Sequence, residues 1–246
     1  MTENTTNRVA LVTGGSGGIG RAVAERLAKD GIAVAVHYAG NRAKADETVA
    51  AIIAAGGQAQ AVGGDVADEN EMAAAFDAVE QEFGGVDVVV NTAGIMHLGR
   101  LAEFDLDALD RMHRTNIRGT FVVAQQSARR VRTGGAIINF STTVTKLAIP
   151  GYAAYAASKG AVDALTLILA KEMRGRDVTV NAVAPGPTAT PLYFEGKDEA
   201  TIQAAAKASP LERLGVPDDI AEVVAFLAGP ARWVNGQIIY TNGGVA

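Results

Sequence analysis

The chain has no cysteine, one tryptophan and three histidines in 246 residues. Without thiols there are no disulfides, no thiolate metal sites and no cysteine nucleophile. His37, His97 and His113 are scattered without ligand spacing, so no metal site is expected. Charge of one sign is scarce as well. The net −5 comes from interspersed acids and bases, and no basic stripe offers itself to nucleic acid. No uninterrupted apolar run reaches membrane-spanning length. The opening residues 1–7 are polar with no basic start, which reads as a flexible tail rather than a signal peptide. A soluble cytoplasmic protein is the expectation. Aromatics make up only 5% of the chain against 48% hydrophobic residues, so the core must be built from Ala, Val and other small side chains. That suits helices packed closely on a parallel sheet, and the length allows one large domain over 8–246.

What is present in abundance is glycine, and its densest stretch is VALVTGGSGGIG, Val9–Gly20. An apolar run ends in a glycine-rich turn, and helical periodicity follows from Ile19. Glycine can take positive φ and lets a phosphate approach the backbone. A helix opening near Gly18 would aim its unpaired N–H groups at a pyrophosphate. Two registers coexist: Gly15, Gly17 and Gly20 spell GxGxxG, while Thr13, Gly14, Gly18 and Gly20 spell TGxxxGxG. The turn by itself does not choose between them.

Strand and helix patterns then alternate. Strands are expected at Val9–Thr13, Ile32–Tyr38, Ala59–Gly63, Val86–Asn91, Ala136–Phe140, Val178–Val183 and Gln237–Tyr240. Helices are expected at 18–30, 42–55, 69–83, 106–132 with a break near Gly119, 152–174 and 217–227. Such alternation predicts an α/β, Rossmann-type doubly wound, seven-stranded and mainly parallel sheet with helices on both faces. Ligands bind such sheets outside the carboxyl ends of the strands, where the chain places most of its unusual residues.

Tyr155 and Lys159 share one face of the expected 152–174 helix. A free phenol, with a pKa near 10, is a poor proton donor or base near neutrality. An ammonium one turn away would draw it toward the working range. The pair, TGxxxGxG, Asn91-Thr92-Ala93-Gly94, Asn116 and Pro185-Gly186 occur in the order and spacing of the short-chain dehydrogenase/reductase family, which the chain resembles over nearly its whole length. The resemblance settles the turn register as TGxxxGxG.

The resemblance implies a nicotinamide-dependent oxidoreductase that interconverts a carbonyl and a secondary alcohol. Tyr155 would be its proton donor or acceptor. Lys159 would lower the tyrosine pKa and bind the nicotinamide ribose, and Asn116 would hold a relay water. The position of the substrate-orienting serine falls on Thr142, with Ser141 beside it as the alternative. Cofactor contacts would come from Gly14, Ser16, Gly17, Gly18, Ile19 and Gly20, from Asp65 and Val66 beside the adenine, and from Asn91, Ala93 and Gly94. Pro185, Gly186, Thr188 and Thr190 would meet the nicotinamide.

Tyr38 stands where NAD-specific folds carry an acid at the end of the second strand, with Asn41 and Arg42 nearby. NADP(H) is therefore favoured over NAD(H), although Gly17 occupies a position that is arginine in many NADP-preferring relatives. Residues 188–213 would form a substrate lid with Leu192, Tyr193 and Phe194 as apolar contacts. The ending WVNGQIIYTNGG resembles 3-oxoacyl-acyl-carrier-protein reductases. By that likeness a 3-oxoacyl thioester is a candidate substrate, a small ketone, keto ester or sugar alcohol being equally admissible. An acyl carrier protein is a candidate partner, met by Arg176 at one of the two arginine positions, the other being Thr133 with Arg132 adjacent. A homotetramer is the expected assembly. The rival reading is a non-catalytic nucleotide sensor on the same fold.

Overall fold

The computed structural model describes residues 8–246. The tail expected over 1–7 lies outside the described residues. Seven strands form one sheet: β1 Val9–Thr13, β2 Ala33–Tyr38, β3 Ala59–Gly63, β4 Val86–Asn91, β5 Val131–Phe140, β6 Thr179–Pro185 and β7 Ile238–Thr241. Their order is β3-β2-β1-β4-β5-β6-β7, and every pairing is parallel. The fold is thus the expected doubly wound sheet, with no antiparallel strand. Chain direction across the sheet reverses between β1 and β4, and this switch point opens the crevice where such folds take ligands.

The inner strands are apolar without alternation because both faces are covered. VALVT of β1 and VDVVVN of β4 are buried throughout. One layer of helices comprises α1 Gly18–Lys29, α2 Arg42–Ala54 and α10 Pro217–Ala228, which pack Val23, Leu27, Ile52 and Val224 against Val12, Val34 and Val90. The other comprises α3 Glu69–Phe83, α5 Gly119–Arg130 and α7 Ala153–Glu172, which pack Phe76, Val123 and Leu169 against Leu11, Ala35 and Val89. Local signals set the helix ends. Asp68 caps α3 by accepting from the Asn70 and Glu71 N–H groups, and Gly84 closes that helix in the left-handed conformation (φ 81°). Pro217 opens α10 with Asp218 and Asp219 in its first turn.

Two expectations need correction, and a third is filled in. No break occurs at Gly119. Instead α4 Leu106–His113 runs into a π-helical turn, Arg114–Arg118, and on into α5. Gly119 is required for packing, because a Cβ there would sit 2.7 Å from Val66 Cγ2. Second, Val131 and Arg132 belong to strand β5, not to the preceding helix. Val131 pairs with Val86, and the Arg132 guanidinium holds Asp87. Gly134 (φ 84°) then absorbs a register shift before Ala136 pairs with Val88. Third, the segment after β6 holds two helices, α8 Pro191–Phe194 and α9 Glu199–Ala208, and a short helix α6 Val144–Leu147 follows β5.

Candidate active site

At the carboxyl edge of β1 the chain turns with both Gly14 (φ 64°) and Gly18 (φ 52°) left-handed. The turn is pressed onto the segment after β4. A Cβ on Gly20 would lie 2.2 Å from the Gly14 carbonyl oxygen and 2.6 Å from Thr92 Oγ1. At Gly17 the backbone is extended, and nothing lies within 4 Å of where a Cβ would point. Helix α1 starts there without a side-chain cap, so the first-turn N–H groups of Gly18, Ile19 and Gly20 face an open cradle beside Ser16. Donors of this kind in a turn of this shape fit a dinucleotide pyrophosphate.

No carboxylate stands at the end of β2. Tyr38 is half-buried there, its ring against Gly63. Asn41 caps α2, its Oδ1 accepting from the Lys44 N–H at 3.1 Å. Arg42 is solvated and paired only with Asp46 at 3.5 Å. At the end of β3, burial opposes ionisation of Asp65. The Ala67 N–H and the Arg114 guanidinium, 2.5 Å away, outweigh that and hold its carboxyl below the usual range. Val66 is buried against Gly119.

Behind the glycine turn, Thr13 Oγ1 donates to Asn91 Oδ1 at 2.8 Å and accepts from the Ala93 N–H at 3.2 Å, tying β1 to β4. Gly94 follows at a tight crossing. A Cβ there would be 3.2 Å from Asn116 Oδ1 and 3.4 Å from Lys159 Nζ. Asn116, in the π-helical turn, is fully engaged. Its Oδ1 accepts from the Ile95 N–H, and its Nδ2 donates to the Ile95 carbonyl and to Ser158 Oγ.

Tyr155 and Lys159 lie one turn apart on α7. Lys159 is buried, with Nζ donating to the Phe140 carbonyl at 2.8 Å and 5.9 Å from the Tyr155 ring centroid. Tyr155 is half-buried, and burial pushes its phenol up to about 12. The Thr142 hydroxyl against it works in the opposite direction and only partly offsets the shift. Burial also draws Lys159 down to about 8, against the pull of Asp163. The expectation that Lys159 lowers the phenol is therefore not met by these residues alone, because desolvation dominates both groups. The two adjacent hydroxyls divide. Thr142 faces Tyr155, whereas Ser141 faces Asp163.

Beyond β6, Pro185 pairs with Thr241, and the Gly186 N–H donates to the Thr241 carbonyl at 3.0 Å. Thr188 and Thr190 are buried. Thr188 Oγ1 donates to the Gly186 carbonyl, and Thr190 caps α8 through the Tyr193 N–H. Thr190 Cγ2 stands 3.6 Å from where a Gly18 Cβ would be, so this loop closes over the glycine turn.

Close approaches at the carboxyl end of the sheet thus link the glycine turn to Thr92 and Thr190, and Gly94 to Asn116 and Lys159, with Tyr155 one turn from Lys159. The structure engages the two arginines proposed for a carrier protein elsewhere. Arg176 donates to the Ala128 and Val131 carbonyls, and Arg132 grips Asp87. It also adds residues the sequence reading passed over: Thr92, Arg114, Ser158 and Asp163. Of these only Asp163 carried a signal, its spacing of one further turn beyond Lys159.

Residues 14–246 match a family model described as Enoyl-(Acyl carrier protein) reductase. A short-chain type dehydrogenase/reductase from Picea abies is 43% identical, the match covering 96% of this chain and 92% of that protein. Versicolorin reductase 1 of Dothistroma septosporum is 40% identical, with 96% and 95% covered. A solved short-chain dehydrogenase from Burkholderia cenocepacia, in complex with NADP, superposes with TM-score 0.91 at 38% identity, covering 98% of this chain and 99% of that one. The chain belongs to the short-chain dehydrogenase/reductase family. As a short-chain dehydrogenase/reductase it is a nicotinamide-dependent oxidoreductase acting between a carbonyl and an alcohol.

Proposed function

We propose that this short-chain dehydrogenase/reductase uses NADP(H) in preference to NAD(H) and reduces the ketone of a free small molecule, with Tyr155 as the proton donor. The observation that carries the reading is the placement of Tyr155 and Lys159 one turn apart on α7, with Lys159 Nζ held by the Phe140 carbonyl and Gly94 and Asn116 packed close to it. When bound, the nicotinamide supplies or accepts the hydride. The chain's own residues position the carbonyl and handle the proton. The Thr142 and Tyr155 hydroxyls would hold the carbonyl oxygen, and Tyr155 would transfer its proton there as the alcohol forms. A neutral phenol at pH 7 is the state that ketone reduction needs. Lys159, tethered by Phe140, and Asn116, tethered by Ile95, keep the floor of the site rigid.

The NADP(H) preference is supported by Tyr38 at the end of β2 in place of an acid, by solvated Arg42 close by, and by a relative solved with NADP. A free ketone is preferred to a carrier-borne thioester because Arg176 and Arg132 are occupied in holding the fold, and because a 40% identical relative is named a versicolorin reductase. The 188–213 segment, with Tyr193 and Phe194 edge-to-face at 5.8 Å, would cover such a substrate.

The test is NADPH oxidation by the purified protein with a panel of cyclic ketones, a 3-oxoacyl thioester and an enoyl thioester, NADH being run alongside. Turnover of the ketones that prefers NADPH and vanishes in Tyr155→Phe is the expected result. Preference for the 3-oxoacyl thioester would move the substrate to that class. A Tyr155→Phe protein with undiminished turnover would remove the proton-donor assignment. Binding of NADPH without turnover of any carbonyl would favour the nucleotide-sensor reading.

A further inference from the structure

Asp163 has no role in the reaction as described above, yet it is placed with the groups that do. Tyr155, Lys159 and Asp163 occupy successive turns of α7, so their side chains leave the helix on one face. Asp163 is half-buried, and its Oδ1 is shielded from solvent without a well-formed hydrogen bond. Ser141 Oγ, from the end of β5, is buried with the same deficit, and the two groups face each other. Two buried polar atoms without a hydrogen-bond partner among the described residues, Ser141 Oγ at the end of β5 and Asp163 Oδ1 one turn beyond Lys159, thus belong to the surroundings of the lysine.

Lys159 needs such a neighbour. Its ammonium has three donors, but only the Phe140 carbonyl receives one. The other elements packed around it present uncharged groups: Gly94 from the β4 loop, Asn116 from the π-helical turn, and Tyr155 from its own helix. Among the described residues, Asp163 is the charged group that acts on Lys159, and Lys159 the one that acts on Asp163. The two make no direct ion pair.

We propose that Asp163, braced by Ser141, is a positioning residue whose carboxylate supplies the counter-charge that keeps Lys159 an ammonium in the buried site. The inference rests on the reading of Tyr155 and Lys159 as the proton-handling pair. Burial alone favours a neutral lysine, and a carboxylate one turn away opposes that. The hydroxyl of Ser141 helps to keep Asp163 ionised despite its own partial burial. Of the three hydroxyls that follow β5, Thr143 donates to the Ala184 carbonyl, which leaves Thr142 for the phenol and Ser141 for the carboxylate.

The test compares wild type with Asp163→Asn and Asp163→Glu in two measurements. The first is the pH profile of kcat/KM for ketone reduction, whose alkaline limb reports loss of the first proton from the Tyr155–Lys159 pair. That limb is expected to move down by about half a pH unit or more in Asp163→Asn. Asp163→Glu is expected to restore it. The second needs neither cofactor nor substrate. Lys159 sits near 8 in the folded protein against 10.5 for the free side chain, so stability climbs with pH from about 8. In Asp163→Asn the climb of melting temperature is expected to begin at lower pH, and Lys159→Met removes it. If both the alkaline limb and the onset of the climb coincide with wild type, the proposal is overturned. A moved climb with no ketone turnover in wild type would sink the catalytic reading and leave the electrostatic one standing. Asp163→Ser serves the same comparison if the asparagine protein does not fold.

Discussion

Two neighbouring groups on α7 are shifted in opposite senses by one cause. Burial disfavours charge, so the Tyr155 phenol rises to about 12 and the Lys159 ammonium falls to about 8. Around neutrality the phenol holds its proton and the lysine is still charged, which is the state for ketone reduction. Reduction is therefore expected to hold level to about pH 8 and then decline, while alcohol oxidation, which needs the phenolate, climbs with pH. Initial rates in both directions across pH 6 to 10 check this. Tyr155→Phe is expected to lower kcat by about 10²–10⁴-fold, the usual worth of a positioned proton donor. Thr142→Ser keeps a hydroxyl against the phenol and is expected to stay within about tenfold of wild type, whereas Thr142→Val should fall with Tyr155→Phe. A second buried titrating group lies under the adenine side. His37 is 1% exposed, and burial takes it down to about 4, with the Gly64 backbone and Asp65 opposing weakly. The folded pKa lies below the unfolded one, so the unfolded chain takes up the proton first and stability drains as pH falls from about 6.5 to 4. The loss between pH 7 and 5 is about 2 kcal/mol. Denaturant titrations at the two pH values should show it, and His37→Leu should flatten the difference. An unchanged pH dependence in that variant would refute the assignment.

At the scale of elements, the glycines of one turn are not equally required, and substitution separates them. Gly20 is a packing glycine: a Cβ would collide with the Gly14 carbonyl, so Gly20→Ala is expected to cost about 1–3 kcal/mol of stability. Gly17 is extended and faces open space, so Gly17→Ala should leave the melting temperature within a degree or two and NADPH binding largely intact. Thermal melts and cofactor titration on both proteins check the pair of outcomes. The turn was readable from sequence because its signal is local. So were the strand–helix alternation and Tyr155 with Lys159, since each depends on short spacing. Where the reading failed, distant partners decide. Arg132 looks like one more residue of a basic helix end, and only its grip on Asp87 makes it strand. The π-helical turn at Arg114–Arg118 adds a residue without disturbing the apolar pattern, so periodicity passes over it. Asp163 reads as a solvated helix carboxylate until Ser141, from another strand, is brought against it.

At the scale of the whole molecule, two apolar areas lie on opposite sides of the sheet, left open by the described residues. On the α5–α7 side, Phe121, Leu167 and Ile168 are 54%, 43% and 58% exposed. Helix α7 is apolar enough over its length to pass for a membrane span; it packs Leu169 onto the sheet and leaves Leu167 and Ile168 outward. On the α10 side, Phe226 is 53% and Trp233 100% exposed, next to the half-exposed edge strand β7. An edge strand and a bare tryptophan are features that soluble proteins usually cover. Two distinct self-complementary patches on one chain generate a tetramer of dihedral symmetry, each patch meeting its own copy across a two-fold axis. Light scattering of the wild type is therefore expected to give four protomer masses. Ile168→Glu opens one interface and Trp233→Glu the other, so each should stop assembly at the dimer, and the double variant at the monomer. Because Tyr155, Lys159 and the glycine turn all belong to one protomer's crevice, the dimers should still bind NADPH. A wild type that runs as a monomer, or a single variant that leaves the tetramer intact, would show that the exposed patch serves something other than self-assembly.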